Sequence, residues 1–286
     1  MTVRWAVKRG LKWAVVWGSA LTGFGALYRL TPTYRNGYRI LTYHRIADTA
    51  EDSFTVTSKD FRAHIAYLSD HAEVIELGEL VKRVSQGRVP ARPTVAVTFD
   101  DGYAELSGVV GKVLERHRVP ATFFVVTSKL DREGEKRTGR FITWDQARGL
   151  AAAGFSIGSH TVTHRSLHTL GPPELRRELV LSRERIAREL GAAPAALSYP
   201  YGTVRDISRD VGLAAYQAGY HYAVTAINGL NRLGCDLFRL RRTTLSAGDG
   251  LQTFRMILKG YLDPWVLVDK WAYGLQRPDD AGWDSP

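Results

Sequence analysis

Thr94-Val95-Ala96-Val97-Thr98-Phe99-Asp100-Asp101-Gly102 is a run of β-branched and aromatic residues that ends in two adjacent carboxylates and a glycine. Such a run packs well on a pleated, buried surface, so it is predicted to be a core strand that Gly102 ends. Side chains alternate along an extended backbone, and Asp100 and Asp101 therefore leave the strand in different directions and meet different partners. Like charges held close raise each other's cost of ionising unless a cation or a donor intervenes, and a bound metal would supply that cation. Taken alone, Asp-Asp-Gly reads first as a strand-to-loop junction with a helix N-cap aspartate. The flanking sequence decides between the two.

Upstream, residues 38–44 read as a strand ending at His44, and 54–56 as a short extended piece. Ser58 is the expected cap of a helix with Phe61, Ile65 and Leu68 on one face. A strand over 72–77 and a short helix stopping at Gly87 follow. Downstream come a helix over 104–117, a strand over 121–126 and a charged segment, 129–140, expected to be an exposed, mobile loop. Thr143 and Gln146 form a capping-box pair for a helix that Gly154 ends. A strand over 155–160 again ends at a histidine. Pro172-Pro173 opens a helix to residue 190 whose balanced charges read as a solvated face. Residues 195–199 run as a strand into Pro200-Tyr201-Gly202, followed by a helix over 205–218, strands over 222–225 and 237–245, and a helical tail over 251–275 interrupted at Pro264. Strands alternating with helices argue an α/β architecture with a parallel sheet or barrel. In such folds ligands bind at the carboxyl ends of the strands, where Asp100, Asp101, His44, His160 and Tyr201 all fall.

Ser159-His160-Thr161-Val162-Thr163-His164 spaces two histidines so that a helical turn, or a loop mimicking one, aims both imidazoles at one locus. His168 extends the spacing, so His164 with His168 is a competing pair. Two histidines with one acid of Asp100-Asp101 would give a cation a carboxylate and two imidazoles, leaving positions for water and substrate.

Thr98-Phe99-Asp100-Asp101-Gly102, Ser159-His160-Thr161-Val162-Thr163-His164 and Tyr199-Pro200-Tyr201-Gly202, in that order, resemble the motifs of the NodB-type polysaccharide deacetylases, carbohydrate esterase family 4. The resemblance covers residues 38–245. It implies a distorted (β/α) barrel of about seven parallel strands that hydrolyses the acetamide of N-acetylated amino sugars. It further implies a divalent metal, zinc with cobalt, nickel or manganese as alternatives, held by Asp101, His160 and His164. Asp100 would be the general base, and the backbone N–H of Tyr201 an oxyanion donor. Tyr199 and Pro200 would contact substrate. Tyr103 and Trp144 flank the motifs and read as packing residues, with substrate stacking as the alternative.

The sequence departs from the common pattern twice. Many members carry an arginine, here Ser198, that tethers the base; Arg239, Arg241 and Arg242 are candidate replacements. Many also place an acid histidine late in the chain, whereas none follows His221, which reads as structural or exposed. His44, in Leu41-Thr42-Tyr43-His44, resembles the histidine that an N-terminal Tyr-His strand supplies in a subset including the poly-N-acetylglucosamine deacetylases, and is the candidate general acid. His64, His71 and His117 read as surface residues.

Of the formal net charge of +10, +8 lies before Asp48, which leaves +2 for the rest. That distribution argues against a nucleic-acid-binding face on the main domain. Residues 1–35 are therefore set apart from a catalytic domain over 36–286. Sixteen uncharged residues between Lys12 and Arg29 make a marginal membrane span, so an anchor, an interfacial helix facing the membrane surface or a cleaved signal is expected, with a basic helix packed on the domain as the alternative. The single cysteine, Cys235, excludes an intramolecular disulfide. The sequence thus points to a membrane-associated deacetylase of a cell-envelope or exported glycan or its lipid-linked precursor. The alternatives are a catalytically silent glycan-binding module, or the same chemistry on an O-acetyl ester or a non-sugar amide.

Overall fold

The computed structural model describes residues 3–50, 52–130 and 140–271. Its strands are β1 (Arg39–Tyr43), β2 (Arg45–Ala47), β3 (Thr55–Thr57), β4 (Glu73–Val74), β5 (Thr94–Phe99), β6 (Ala121–Val125), β7 (Ser156–Ser159), β8 (Ala196–Ser198), β9 (Tyr222–Val224) and β10 (Thr243–Thr244). The α-helices are α1 (Val3–Leu21), α2 (Phe24–Tyr28), α3 (Pro32–Arg35), α4 (Ser58–His71), α5 (Leu77–Ser85), α6 (Val109–His117), α7 (Thr127–Leu130), α8 (Trp144–Ala152), α9 (Pro172–Leu190), α10 (Arg209–Gln217), α11 (Leu251–Leu258) and α12 (Val266–Trp271).

All six residues of β5 are buried. The strand lies inside a parallel sheet ordered β10-β1-β5-β6-β7-β8-β9, with β4 pairing its first residues and β2-β3 forming a separate ribbon. The sheet curls into a half-barrel ringed by helices, and its alternation sorts the core into two faces. Leu41, Tyr43, Val95, Val97, Phe99, Phe123 and Val125 point outward against Phe61, Ile65 and Leu68 of α4, Val110 and Leu114 of α6, and Leu150 of α8. Ile40, Ala96, Phe124, Ala196, Val224 and Leu240 meet inside the curl. Tyr43, Phe99 and Phe123 stack in series, at 5.4 and 5.0 Å between ring centres. Truncating a buried phenylalanine such as Phe99 costs about 3–5 kcal/mol.

Several expectations are corrected. Residues 237–245 form only the short β10, because this segment changes partners. Leu240 bridges to Val224 of β9, and Thr243 and Thr244 pair with β1. The strand expected over 72–77 shrinks to β4, and the helix expected from 104 begins as a 3-10 turn and restarts after Gly108. Thr57, not Ser58, caps α4. The charged segment lies outside the described residues over 131–139, as does the tail beyond 271.

The sixteen uncharged N-terminal residues do not make one helix: α1 ends at Leu21, and Gly23, at φ 71°, starts α2 in a new direction. No helix among the described residues is long and apolar enough to cross a membrane. Instead α1 is packed on the domain, with Val16 and Ser19 buried and Lys12 only 7% exposed.

His64 is no surface residue. It occupies the i+3 position of the buried stripe Phe61, Ile65, Leu68, stacks on Phe254 at 4.0 Å and shares a 3.2 Å hydrogen bond with the Tyr43 hydroxyl. Burial holds it down to about 4. The unfolded chain takes up this proton near 6.5 and the folded chain only near 4, so the contribution is complete above 6.5 and is lost as pH falls toward 4. Urea unfolding across that range should show the native protein losing about 2 to 3 kcal/mol that a His64→Gln variant does not lose.

Candidate metal centre and its pocket

The inward alternation of Ala96 and Thr98 continues past the end of β5, and Asp100 follows them into the curl. Asp101 turns the other way in a left-handed conformation, φ 76°. Two neighbouring carboxylates thus acquire separate surroundings, both almost fully buried.

Asp100 meets Arg242, whose guanidinium donates to Oδ1 at 2.8 Å and Oδ2 at 2.6 Å. The remaining donor directions of Arg242 are filled by the Thr225 carbonyl and by the hydroxyls of Thr42, Thr98 and Ser198. Ser198 also donates to Asp100 Oδ2 at 3.2 Å. Burial pushes the Asp100 carboxyl up, but the Arg242 guanidinium and His160 outweigh it and hold it well below the usual range. Of the three candidate arginines, Arg239 and Arg241 are exposed and Arg242 alone enters the curl.

Asp101 meets His160 and His164, with Oδ1 3.4 and 3.6 Å from their Nε2 atoms. One ligand atom from each of the three residues lies within 4.8 Å of the others. His160 Nδ1 lies 2.8 Å from the Ser198 carbonyl, an acceptor, which fixes the proton on Nδ1 and leaves the Nε2 lone pair facing Asp101. Asp101 Oδ1 is buried and accepts no hydrogen bond. Burial, with His160 adding to it, lowers His164 to about 3, the neutral form a metal ligand needs. Lone pairs converging on an orphaned carboxylate oxygen fit a divalent cation, and this nitrogen and oxygen donor set suits zinc.

The 160–164 turn is a loop rather than a helical turn: Thr161 and His164 have φ 69° and 65°. Such conformations cost of order 1 kcal/mol each and persist only where the surroundings fix them. Glu178 of α9 does so. Its carboxylate accepts the Val162 and Thr163 N–H groups at 2.8 and 2.9 Å and the Thr163 hydroxyl at 2.6 Å. The solvated-face reading of α9 fails at this residue, and its spacing with the buried Leu179, Ser182 and Ile186 was the available signal. His168 is exposed and stands apart from the cluster, which removes the competing pair.

His44, at the end of β1, lines the same pocket as Asp100, Asp101, His160 and His164. Its ring packs on Phe54 at 4.8 Å, its Nδ1 is buried without a partner, and burial lowers it against the pull of Asp101 and Asp100. Tyr103, Tyr199 and Tyr201 also line the pocket. Tyr201 sits at φ 60° with its ring 5.1 Å from His164. Pro200 is buried between Tyr199 and Tyr201. Trp144, 4% exposed, turns into the core and not toward the pocket, because it is the first residue of the capped α8 and its indole joins the apolar layer under that helix.

Removing one member of a buried ion pair strands the other. Arg242→Met should lower the unfolding free energy by about 3–5 kcal/mol, and adding Asp100→Asn should restore much of the loss in a denaturant-based double-mutant cycle.

Comparison with known proteins bears on this geometry. Residues 87–223 match the family model described as polysaccharide deacetylase. The chain is 29% identical over 210 residues to the Bacillus subtilis protein YxkH, named for the same family, covering 73% of this chain and 71% of that one. It is 24% identical over 246 residues to the poly-beta-1,6-N-acetyl-D-glucosamine N-deacetylase of Staphylococcus epidermidis, covering 77% of this chain and 82% of its relative. The fold is similar to that of the Streptococcus pyogenes deacetylase PplD, at TM-score 0.70 and 21% identity, over 78% of this chain and 98% of that one. His44 and Arg242 fall outside the matched residues, 87–223.

Proposed function

From its likeness to polysaccharide deacetylases, we propose that this chain removes N-acetyl groups from an amino sugar of a cell-envelope or exported polysaccharide, or of its lipid-linked precursor. The observation that carries the reading is the Asp101, His160 and His164 cluster beside a carboxylate clamped by Arg242.

Asp101, His160 and His164 would hold the divalent ion, zinc by their donor set, whose chemistry is to polarise the amide carbonyl and make water a better nucleophile. Asp100 receives the proton of the attacking water. Arg242 keeps it ionised and fixes its orientation. The N–H of Tyr201 donates to the developing oxyanion. His44, in its protonated form, gives a proton to the departing amine, which would otherwise leave as an unstable anion. Tyr201, half-buried at the pocket, supplies a wall against which a sugar ring packs, whereas Tyr199 is a core residue whose hydroxyl donates to the Phe238 carbonyl. Ser198, at the position where many members carry the tethering arginine, accepts a hydrogen bond from Arg242.

Acetate release from N-acetylglucosamine oligomers by the zinc-loaded full chain should be abolished by chelator. Asp100→Asn and His44→Ala should each lower turnover by about a hundredfold or more while one equivalent of zinc still binds. Normal turnover in His44→Ala would remove its role.

We further infer that residues 1–35 hold the catalytic domain, 36–286, to a membrane surface in the cell envelope. Trp13 and Leu21 of α1, Phe24 and Leu27 of α2 and Leu30 in the turn after it are exposed, in a segment whose charge before Asp48 is wholly basic, and Leu267 and Trp271 are exposed on α12. Amphipathic, cationic segments of this kind bind anionic bilayers. The full chain should float with vesicles containing about 30% anionic lipid, as such surfaces attract basic residues, and Phe24→Ser with Leu27→Ser should reduce flotation severalfold. No flotation of the unaltered chain would refute the membrane reading.

A further inference from the structure

Two turns reach the pocket from neighbouring strands: residues 160–164 after β7, and Tyr199-Pro200-Tyr201-Gly202 after β8, with Ser159 and Leu197 of those strands paired. Each turn departs from ordinary backbone. Thr161 and His164 are left-handed in the first, and Tyr201 and Gly202, at φ 60° and 61°, in the second. Conformations of this kind persist only where the surroundings impose them. The turns also touch, since the Tyr201 and His164 ring centres lie 5.1 Å apart.

They are cross-linked at both ends. At the near end His160 Nδ1 donates to the Ser198 carbonyl at 2.8 Å. At the far end stands a carboxylate that the chemistry above does not use. Asp206 is 1% exposed, and Ser166 and Thr203 beside it are buried as well. Its Oδ1 accepts the Ser166 hydroxyl at 2.6 Å, and its Oδ2 accepts the Thr203 N–H at 3.2 Å together with the Thr203 hydroxyl. Ser166 comes two residues after His164, and Thr203 two residues after Tyr201. One carboxylate therefore grips the same position in both turns, with one oxygen for each.

Each turn is separately fixed on its other side. Glu178 of α9 takes the N–H groups of the first. In the second, the Gly202 carbonyl accepts the Ala226 N–H at 2.9 Å, and a Cβ on Gly202 would come within 2.6 Å of that nitrogen. Those contacts place each turn against its own neighbour; the Asp206 bridge relates one turn to the other. That relation has a chemical consequence. An anion held jointly by the cluster and by the Tyr201 N–H feels both only if their separation matches it, and a misplacement of about 1 Å forfeits much of the gain. A ligand that meets the metal ligands' side only makes no such demand.

We propose that Asp206 is a positioning residue: through Ser166 and Thr203 it sets the gap between the His164 turn and the Tyr201 N–H, and with it the grip on a tetrahedral anion. This rests on the deacetylase reading for the identity of that anion in the reaction.

Titration calorimetry on the zinc-loaded full chain tests it with two small probes. Methylphosphonate is a tetrahedral oxyanion, whereas imidazole takes a metal position and offers no oxygen to an N–H. Ser166→Ala should weaken methylphosphonate about tenfold and leave imidazole within about twofold of native, since one oxyanion donor is displaced and no metal ligand is lost. Asp206→Ala should do the same, and the double variant should lose no more than either single one, because all three break one bridge. Asp206→Asn keeps an acceptor for Thr203 and can donate to the Ser166 oxygen, so it should retain most of the native affinity. On N-acetylglucosamine oligomers the two alanine variants should lower kcat about tenfold with KM near native. Thermal melting and one bound equivalent of zinc certify each variant, and Ser166→Ala, which removes a single hydroxyl, carries the test if Asp206→Ala does not fold. Equal weakening of both probes in Ser166→Ala, or loss of its zinc, would reduce the bridge to a support of the metal turn and overturn the proposal. So would an unmoved methylphosphonate affinity, or no binding of methylphosphonate by the native chain. Both probes are read without turnover, so failure of acetate release from every glycan would count against the deacetylase reading and leave the result on Asp206 standing.

Discussion

A buried, two-pronged ion pair between Arg242 and Asp100 sits at the centre of this structure. Ionising both groups away from water is costly, and the cost is met only because every remaining donor of Arg242 finds an acceptor on the surrounding strands. Thr42 on β1, Thr98 on β5, Ser198 on β8 and the Thr225 carbonyl after β9 all converge on one guanidinium. The pair therefore holds strand ends in register around a fixed charge, and it keeps Asp100 out of the metal cluster. With Asp100 committed inward, Asp101 alone remains for the two imidazoles.

Much of this was legible in the sequence, for a simple reason. β5, β7 and β8 are short and run into chemistry-bearing residues, so period-two alternation carried the sheet and the divergence of the two aspartates, while the His-x-x-x-His spacing marked the locus and the family resemblance named Asp101, His160 and His164. The failures share a cause as well. His64 and Glu178 are polar residues at apolar positions of helical stripes, and residue type was weighed above periodicity. Arg242 could be proposed but not chosen, since nothing local separates it from Arg239 and Arg241. Only the inward turn of the segment after Leu240 does that. The N-terminal stretch misled because its lack of charge suggested one apolar span, while Gly23 breaks it and Lys12 is neutralised by Asp249, more than two hundred residues away.

The N-terminal segment now carries two faces with different chemistry. Val16, Ser19 and Lys12 bind α1 to the half-barrel, while Trp13 and Leu21 of the same helix face outward. A helix that is both a wall of the pocket, through Lys8, Arg9 and Lys12, and an exposed apolar surface places the site's opening and that surface under one mechanical constraint: neither can shift without the other.

The short segment leading into β10 bonds to β9 through Leu240 and to β1 through Thr243 and Thr244, bringing together the sheet's first and last strands. It also delivers Arg242. In chain order, both β9 and Asp100 emerge before this segment does. Until it arrives the sheet has two open edges and a carboxylate without its counterion, and Arg242 must then reach back across 142 positions to close both. Contacts of such long range form slowly, because the intervening chain loses its entropy first. Joining of the sheet's two ends and pairing of the Asp100 carboxylate thus depend on the same late-emerging segment, so a nascent chain that already holds Asp101, His160 and His164 still has Asp100 without its counterion.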